Sequence, residues 1–548
     1  MSYRAAAAVV LAQLISAVSG LGQTRSPGEV NYQQLDAPYL DQYTKNPGTA
    51  VQQWFLSHFM RVASFSPYFD PDTDWYPGGM FYQNSYAIYP GSAVLSEHPE
   101  WVLHDQNGNM LYIPWNCNGG TCPSYAGDIA NPAFRAWWIS SAQQIMNRAN
   151  YLGIFIDDVN LPMHVSDGNG NLVAPVDLNT GLPMTSTAWA TYMAAFMQQI
   201  RDSFPNKELT FNAIWYASPS GAPAGFDPLV EAEIKAATNL NVERGVASDT
   251  GLTGGTGQFS VYSLFAYVDH VHALGASVTL EEYQVTPAQQ QYGLAAYFMI
   301  SNGSDRIGDS TTTPDNWFPG YNVNLGTPTG PRSYVKGVFR RNFTNGIALL
   351  GEPGLPAQTI ALPGTFTTLD GALVTSVTIS GSQGIILTGL NSQQAQALAP
   401  PARVILRSLS MLKPAYQSQS SGTLQTNKSA AGTPIRINGL TYANGLGVSA
   451  ASEVKYWLWG NCSSFTATVG VDSSVPKGQG NLQFQVWGDD TLLYNSSALS
   501  SGSAVGRVKV DLTGYQMLDL VVTGAGGAAP PSANDYGDWA NGVVGCSN

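Results

Sequence analysis

Two hydrophobic periods take turns along the first 310 residues. Behind Asn131-Pro132, a capping residue and a favoured first-turn residue, Phe134, Trp137, Trp138, Ile145 and Met146 fall near helical spacing. Tyr151-Leu-Gly-Ile-Phe-Ile156 then runs apolar without a break and ends in Asp157 and Asp158. The same beat repeats downstream. Trp189, Met193, Phe196 and Ile200 mark an amphipathic helix, and Leu209–Trp215 is a strand carrying Asn212. Asn239–Gly245 is a strand ending at Glu243, and Phe259–Leu274 is a helix. Ala276–Tyr283 is a strand ending in Glu281 and Glu282. Pro287–Ile300 is a helix, followed by a short strand near Arg306-Ile-Gly308. Upstream, Trp54–Arg61 reads as a helix and Arg61–Ser66 as an early strand. Gln23–Thr49 reads as a polar leader wrapping the first domain.

Helix and apolar strand in alternation describe a (β/α)8 barrel or a doubly wound sheet. No Gly-rich phosphate loop follows an early strand, so the barrel is preferred. Barrel chemistry sits at strand C-termini. Carboxylates recur there, and three such ends in series point to a shared acidic pocket. Side chains alternate along a strand, which puts Asp157 and Asp158 on opposite faces with only one toward the axis. An isolated Asp pair after a strand often just caps the next loop; the repetition favours chemistry. The aromatic section from Tyr68 to Tyr125, with Trp75, Tyr82, Tyr86, Tyr89, Trp101, Tyr112 and Trp115, is expected on loops that shape the pocket.

The period shortens after Tyr334. Gly337–Leu350 reads as a hairpin turning at Asn345-Gly346, and strand-like runs continue to about Leu390. The predicted domains are 1–22, a signal peptide; 50–335, the barrel; 336–390, a small β domain; 391–426, a Ser/Gln/Ala/Pro-rich linker; and 427–548, a second all-β module. In that module Phe465–Val471 and Leu482–Trp487 alternate as strands do.

Composition narrows the function. Charged residues make up 11% of the 548-residue chain and aromatics another 11%, which suits a protein handling neutral sugars through ring stacking. A net charge of −13 argues against nucleic acid or an anionic membrane as partner. Arg4 followed by the apolar run Ala5–Val18 and small residues near Gly20 describes a secretory signal, too short for a membrane anchor. The expected location is therefore secreted, extracellular or periplasmic. Cys117 and Cys122 are spaced to close a small loop, and Cys462 and Cys546 to tie the tail to its domain. Zinc is disfavoured, since no His lies near either pair. Asp105–Asn109 and Asp167–Asn171 look superficially like calcium loops but lack the closing Glu, so turns explain them better. No metal or organic cofactor is expected.

Gly153-Ile-Phe-Ile-Asp157-Asp-Val resembles the fourth-strand motif of retaining α-glycosidase barrels. The likeness is to glycosyl-hydrolase-like families of the α-galactosidase/α-glucosidase superfamily. His98–Gly108, Asp128–Arg135 and the hairpin Arg340–Gly346 extend it in order, over roughly residues 50 to 390. Gly439–Gly447, Ser452–Leu458, Val469–Asp472, Val486–Asp490 and Asp535–Trp539 resemble the NPCBM carbohydrate-binding β-sandwich. That family's usual His is replaced by Ser449 or Ala450, which leaves the glycan ligand open. The first resemblance implies Asp157 as nucleophile, with Asp158 orienting the loop or touching sugar hydroxyls. It implies Glu243, at the end of the sixth strand, as general acid, with Glu281 and Glu282 as the fallback pair. It also implies Asp128 as a third-strand substrate contact. Asn212 and Trp115 join these as candidate substrate contacts.

The function expected is a secreted glycoside hydrolase acting on an α-linked poly- or oligosaccharide through two carboxylates with retention. One alternative is a non-catalytic glycan-binding protein with a barrel-derived cleft. Another is a metal-dependent esterase or deacetylase. The latter lacks a Gly-x-Ser-x-Gly elbow, and His270 and His272 sit two apart in a helix, poorly placed for shared ligation.

Overall fold

The computed structural model describes residues 25–35, 40–45, 47–160, 162–213, 227–247, 252–255, 257, 259–283, 285–309, 312–389, 404–412, 414–458, 462–489, 491–515, 517–525 and 535–547. The expected signal segment lies outside these residues. They form two compact units.

In the first unit, eight strands close a barrel. They are β1 (Tyr32–Leu35), β2 (Phe59–Ser64), β3 (Gly79–Asn84), β4 (Gly153–Val159), β5 (Glu208–Ala213), β6 (Asn239–Glu243), β7 (Ser277–Glu282) and β8 (Arg306–Asp309). Each pairs in parallel with its neighbours in sequence, and β8 pairs with β1. The polar leader was misread in part, because it holds β1. Gln33 and Gln34 disguise that strand, yet both are buried.

The barrel helices include α1 (Thr49–His58), α2 (Pro132–Arg148), α3 (Ser186–Ser203), α4 (Pro228–Ala236) and α5 (Pro287–Ile300). Four start on side-chain caps: Asn131 accepts from Ala133 N, Thr185 from Ala188 N and Asp227 from Leu229 N, while Thr286 and Gln289 form a capping box. Trp138 and Trp189 bury fully in this helical shell.

The barrel interior is layered. Near the strand N-termini Glu208 meets Arg61 at 2.9 Å and Arg306 at 2.6 Å, and Arg306 donates to Gln33. Burial opposes ionisation of Glu208, but the two guanidiniums outweigh it and hold its carboxyl down to about 2. A middle layer packs Ala63, Met80 and Phe155, with Tyr82 against them. Acids and amides fill the C-terminal layer. A lobe from the β3–α2 and β4–α3 connections stands at that end, stitched by Tyr112 bridging Ser166 and by the Cys117–Cys122 disulfide. Within it Asp105 accepts from the amides of Asn107 and Asn109, and Asp167 from those of Asn169 and Asn171. Both motifs are thus self-capped turns. The unit also holds the antiparallel strands Gly346–Gly351, Gly384–Thr388, Gln358–Thr368 and Leu373–Ile379.

The second unit comprises the helix Val261–Ala273, the hairpin of Ser333–Val335 with all but the last residue of Val338–Phe343, and a β-sandwich. Arg332 pairs with Asp269 on the helix. One sandwich sheet centres on Tyr536–Ser547, paired with Gly445–Ser449 and Cys462–Val471; the other centres on Met517–Gly524, between Ser452–Trp457 and Leu482–Gly488. Trp539, Phe465 and Phe484 fill the space between. Cys462–Cys546 joins paired strands. The predicted linker 391–426 is corrected over its second half. Val404–Ser408 pairs with the C-terminal strand, and Tyr416–Gln419 and Gln425–Thr426 are also sandwich strands. In the edge strand Tyr416–Gln419, Gln417 and Ser418 are exposed to solvent.

Candidate active site

Period-2 alternation supplies the site. On β3, Met80, Tyr82 and Asn84 share the interior face. On β4 that face carries Gly153, Phe155 and Asp157; on β5 Glu208, Thr210 and Asn212; on β6 Asn239, Asn241 and Glu243; on β7 Ser277, Thr279 and Glu281. The last polar member of each set lies at the strand C-terminus.

Those members form one hydrogen-bonded group. Asp157 Oδ1 accepts from Asn212 Nδ2 at 2.8 Å and from the Asp158 amide at 2.8 Å. Asp157 Oδ2 accepts from the Tyr82 hydroxyl at 2.5 Å. Asn212 Nδ2 also donates to Glu243 Oε2 at 2.9 Å, so one amide nitrogen joins the two carboxylates. Asn241 Nδ2 donates to Asn212 Oδ1 at 3.2 Å and to Glu281 Oε2 at 2.5 Å. Tyr283 hydrogen-bonds to Glu243 and to Glu281. Glu243 is the exposed member and Glu281 a buried one.

The electrostatics follow from burial. Glu281 is pushed up to about 8, first by burial and then by the Glu243 and Asp157 charges, against the Asn241 hydrogen bond. Asp158 is pushed up to about 6 by burial and by Asp157. Burial and the Asp157 charge hold the Tyr82 hydroxyl well above its ordinary range, and burial with the Glu281 charge does so for Tyr283; both stay protonated donors.

The expected contacts divide. Asp157, Asn212, Glu243 and Glu281 are brought together. Asp158 departs from simple alternation: its φ is 56° and the register to β5 shifts there. It stays beside Asp157, where Asn84 Nδ2 donates to its Oδ2 at 2.6 Å and Asn160 to its Oδ1. Glu282 is corrected. It faces away from the axis, and its carboxylate accepts from the amides of Val246 and Ala247 at 2.8 and 2.9 Å, tying down the loop after β6. Asp128 is also corrected. It is not at the end of the third strand, which finishes at Asn84; it is buried before α2 and accepts from the Ala130 amide. Trp115 sits on the lobe, outside the barrel strands as expected, and is 69% exposed.

Tyr82, Asn84, Asn241 and Tyr283 are the site members that strand-end reading passes over. Asn241 was visible as the middle of the polar set 239, 241, 243. Phe65, at the end of β2, packs on the Tyr82 ring with centroids 4.9 Å apart and remains 54% exposed. Tyr89 is 50% exposed and feels both Asp157 and Asp158. Among the described residues, no group of three or more His, Cys, Asp and Glu side chains is placed to hold a metal ion, and no helix is long and apolar enough to cross a membrane.

Similarity to known proteins bears on this geometry. Residues 68–347, just over half the chain, match the model described as hypothetical glycosyl hydrolase family 15. Residues 407–544 match the NPCBM/NEW2 domain. A Renibacterium salmoninarum protein named "Putative endo-alpha-N-acetylgalactosaminidase" is 38% identical over 116 residues, which is 21% of this chain and only 7% of that protein. Among solved structures, the glycoside hydrolase domain of PelA from Pseudomonas aeruginosa is 15% identical, covering 51% of this chain and 94% of that one, with TM-score 0.30. The noncanonic maltogenic α-amylase AmyB from Thermotoga neapolitana is 12% identical, covering 66% and 99%, with TM-score 0.39. CBM51 from Clostridium perfringens GH95 is 27% identical, covering 26% and 99%, with TM-score 0.24. The chain thus belongs to hypothetical glycosyl hydrolase family 15 and carries an NPCBM/NEW2 domain toward its C-terminus.

Proposed function

We propose that the barrel hydrolyses glycosidic bonds with retention, using Asp157 as nucleophile and Glu243 as acid and base. The observation that carries this reading is the Asn212 amide nitrogen donating to both carboxylates. Two such bonds diverging from a planar nitrogen leave the accepting oxygens about 5 Å apart, near the separation that retention requires and short of the ~6.5–9.5 Å of inverting pairs.

Asp157 Oδ1 has both lone pairs engaged, by Asn212 and by the Asp158 amide. Among the described residues Oδ2 accepts from Tyr82 alone and keeps a lone pair for the anomeric carbon. Oδ2 attacks, the glycosidic C–O bond breaks, and Glu243 gives its proton to the leaving oxygen. Glu243 then takes a proton from water, whose oxygen attacks the anomeric carbon and releases Asp157. The exposure of Glu243 gives it access to leaving group and water. Phe65 and Tyr89 offer exposed ring faces beside this pair for a sugar to stack on. Two disulfides support export to an oxidising compartment, and the NPCBM/NEW2 domain supports a glycan ligand of its own.

The test is turnover of a panel of α-linked aryl glycosides and polysaccharides. N-acetylgalactosaminides belong in it because of the name the Renibacterium relative carries. Asp157→Asn is expected to lose at least 10³-fold in kcat while still binding substrate. Glu243→Gln is expected to lose most on poor leaving groups. An Asp157→Asn protein that keeps its turnover removes the proposal.

A further inference from the structure

The carboxylate pair is not held by Asn212 alone. Both hydrogens of Asn212 Nδ2 are spent on acceptors, Asp157 and Glu243. The amide cannot turn over without pointing its oxygen at two carboxylates. Its Oδ1 must therefore accept, and the donor offered is Asn241 Nδ2. That fixes the second amide in turn. The other hydrogen of Asn241 Nδ2 goes to Glu281 Oε2, on the next strand. The chain Glu281–Asn241–Asn212 thus crosses β7, β6 and β5, with Asn241 donating to Glu281 on one side and to Asn212 on the other, and Asn212 donating to the pair.

Two features show that ordinary packing does not explain this arrangement. Asn241 Oδ1 is buried and has no hydrogen-bond partner among the described residues, as follows when both hydrogens of its Nδ2 set the orientation of the amide. Glu281 is a buried acid facing Asn241 and Glu243 of β6, Asp157 of β4 and Tyr283 just past the end of its own strand, with Gly308 opposite it on β8. None of these is a cation. A hydrophobic residue in that place would be the simpler interior.

We propose that Glu281 is a positioning residue that, through Asn241 and Asn212, sets the separation and orientation of Asp157 and Glu243. This rests on the two-carboxylate reading above and names the device that holds its geometry. Glu281 touches no reacting atom. It needs only an acceptor oxygen, so its carboxyl serves in either protonation state. Its elevated ionisation, near 8, keeps a further negative charge away from the pair at neutral pH.

The test compares Glu281→Leu, Glu281→Gln and Asn241→Leu in the full chain. The Leu variants are expected to lose about 10²-fold in kcat with KM within threefold, since misplacement of reacting groups has that effect. Glu281→Gln, whose carbonyl oxygen still accepts from Asn241, is expected to stay within fivefold of wild type. Loss in Gln as deep as in Leu, or no loss in Leu, overturns the proposal. A crystal structure of Glu281→Leu reads the same device without turnover. The Asn212 amide is expected to have left one of the two carboxylates; Asn212 still joining Asp157 and Glu243 overturns the proposal. Should wild type hydrolyse nothing while this structure shows the amide displaced, the hydrolase reading fails and the positioning role stands.

Discussion

Glu281 carries a stability consequence of its own. Burial raises its carboxyl to about 8 in the folded chain, against an ordinary value of 4.5. Between those two values the folded state holds a proton that the unfolded state releases. Stability therefore falls as pH rises through that window, by at most about 1.4 kcal/mol per pH unit. Above about 8 the loss is complete. Glu281→Gln is expected to flatten the decline between pH 5 and 8, measured by urea unfolding at fixed ionic strength; an unchanged slope contradicts the burial argument. Single residues were unevenly legible in the sequence. Asp157, Asn212 and Glu243 stand out because polar residues close apolar strands. Glu281 and Glu282 are adjacent, and strand spacing alone does not say which faces the axis. Asp128 lies in a connection, where no periodicity fixes direction.

At the scale of elements, β4 is pressed against β5. A Cβ on Gly153 would stand 2.0 Å from the backbone oxygen of Glu208, in a neighbour that cannot give way. Gly153→Ala is expected to destabilise the barrel by about 1–3 kcal/mol through a forced backbone shift, read as a lower urea midpoint at unchanged slope. A midpoint equal to wild type would show that the strands separate freely. Periodicity found β2 and the five strands from β4 to β8 in whole or in part, but β3 was lost in the aromatic section read as loops. It missed β1, four residues with two glutamines turned to a polar barrel interior. It also missed the left-handed turn at Asp158, which depends on a register shift between strands rather than on local composition.

For the whole molecule, low charge and abundant aromatics pointed to a sugar-handling protein, and the family match agrees at the level of glycosyl hydrolase. The linker was misjudged because the edge strands of a sandwich show solvent the same Ser and Gln residues that linkers use. The Cys462–Cys546 bond closes a stretch of 84 residues. Chain-entropy arguments give it about 4.5 kcal/mol. Replacing both cysteines with alanine is expected to lower the melting temperature of the sandwich transition while leaving kcat of the barrel within twofold; no change in melting would show that strand pairing alone carries the tail. The central claim concerns the carboxylate pair, and the anomeric configuration of the first-formed product tests it most directly. Proton NMR of fresh hydrolysate, recorded before mutarotation, should show the substrate's own anomer appearing first. Appearance of the opposite anomer would mean single displacement by water and would contradict the nucleophilic role of Asp157.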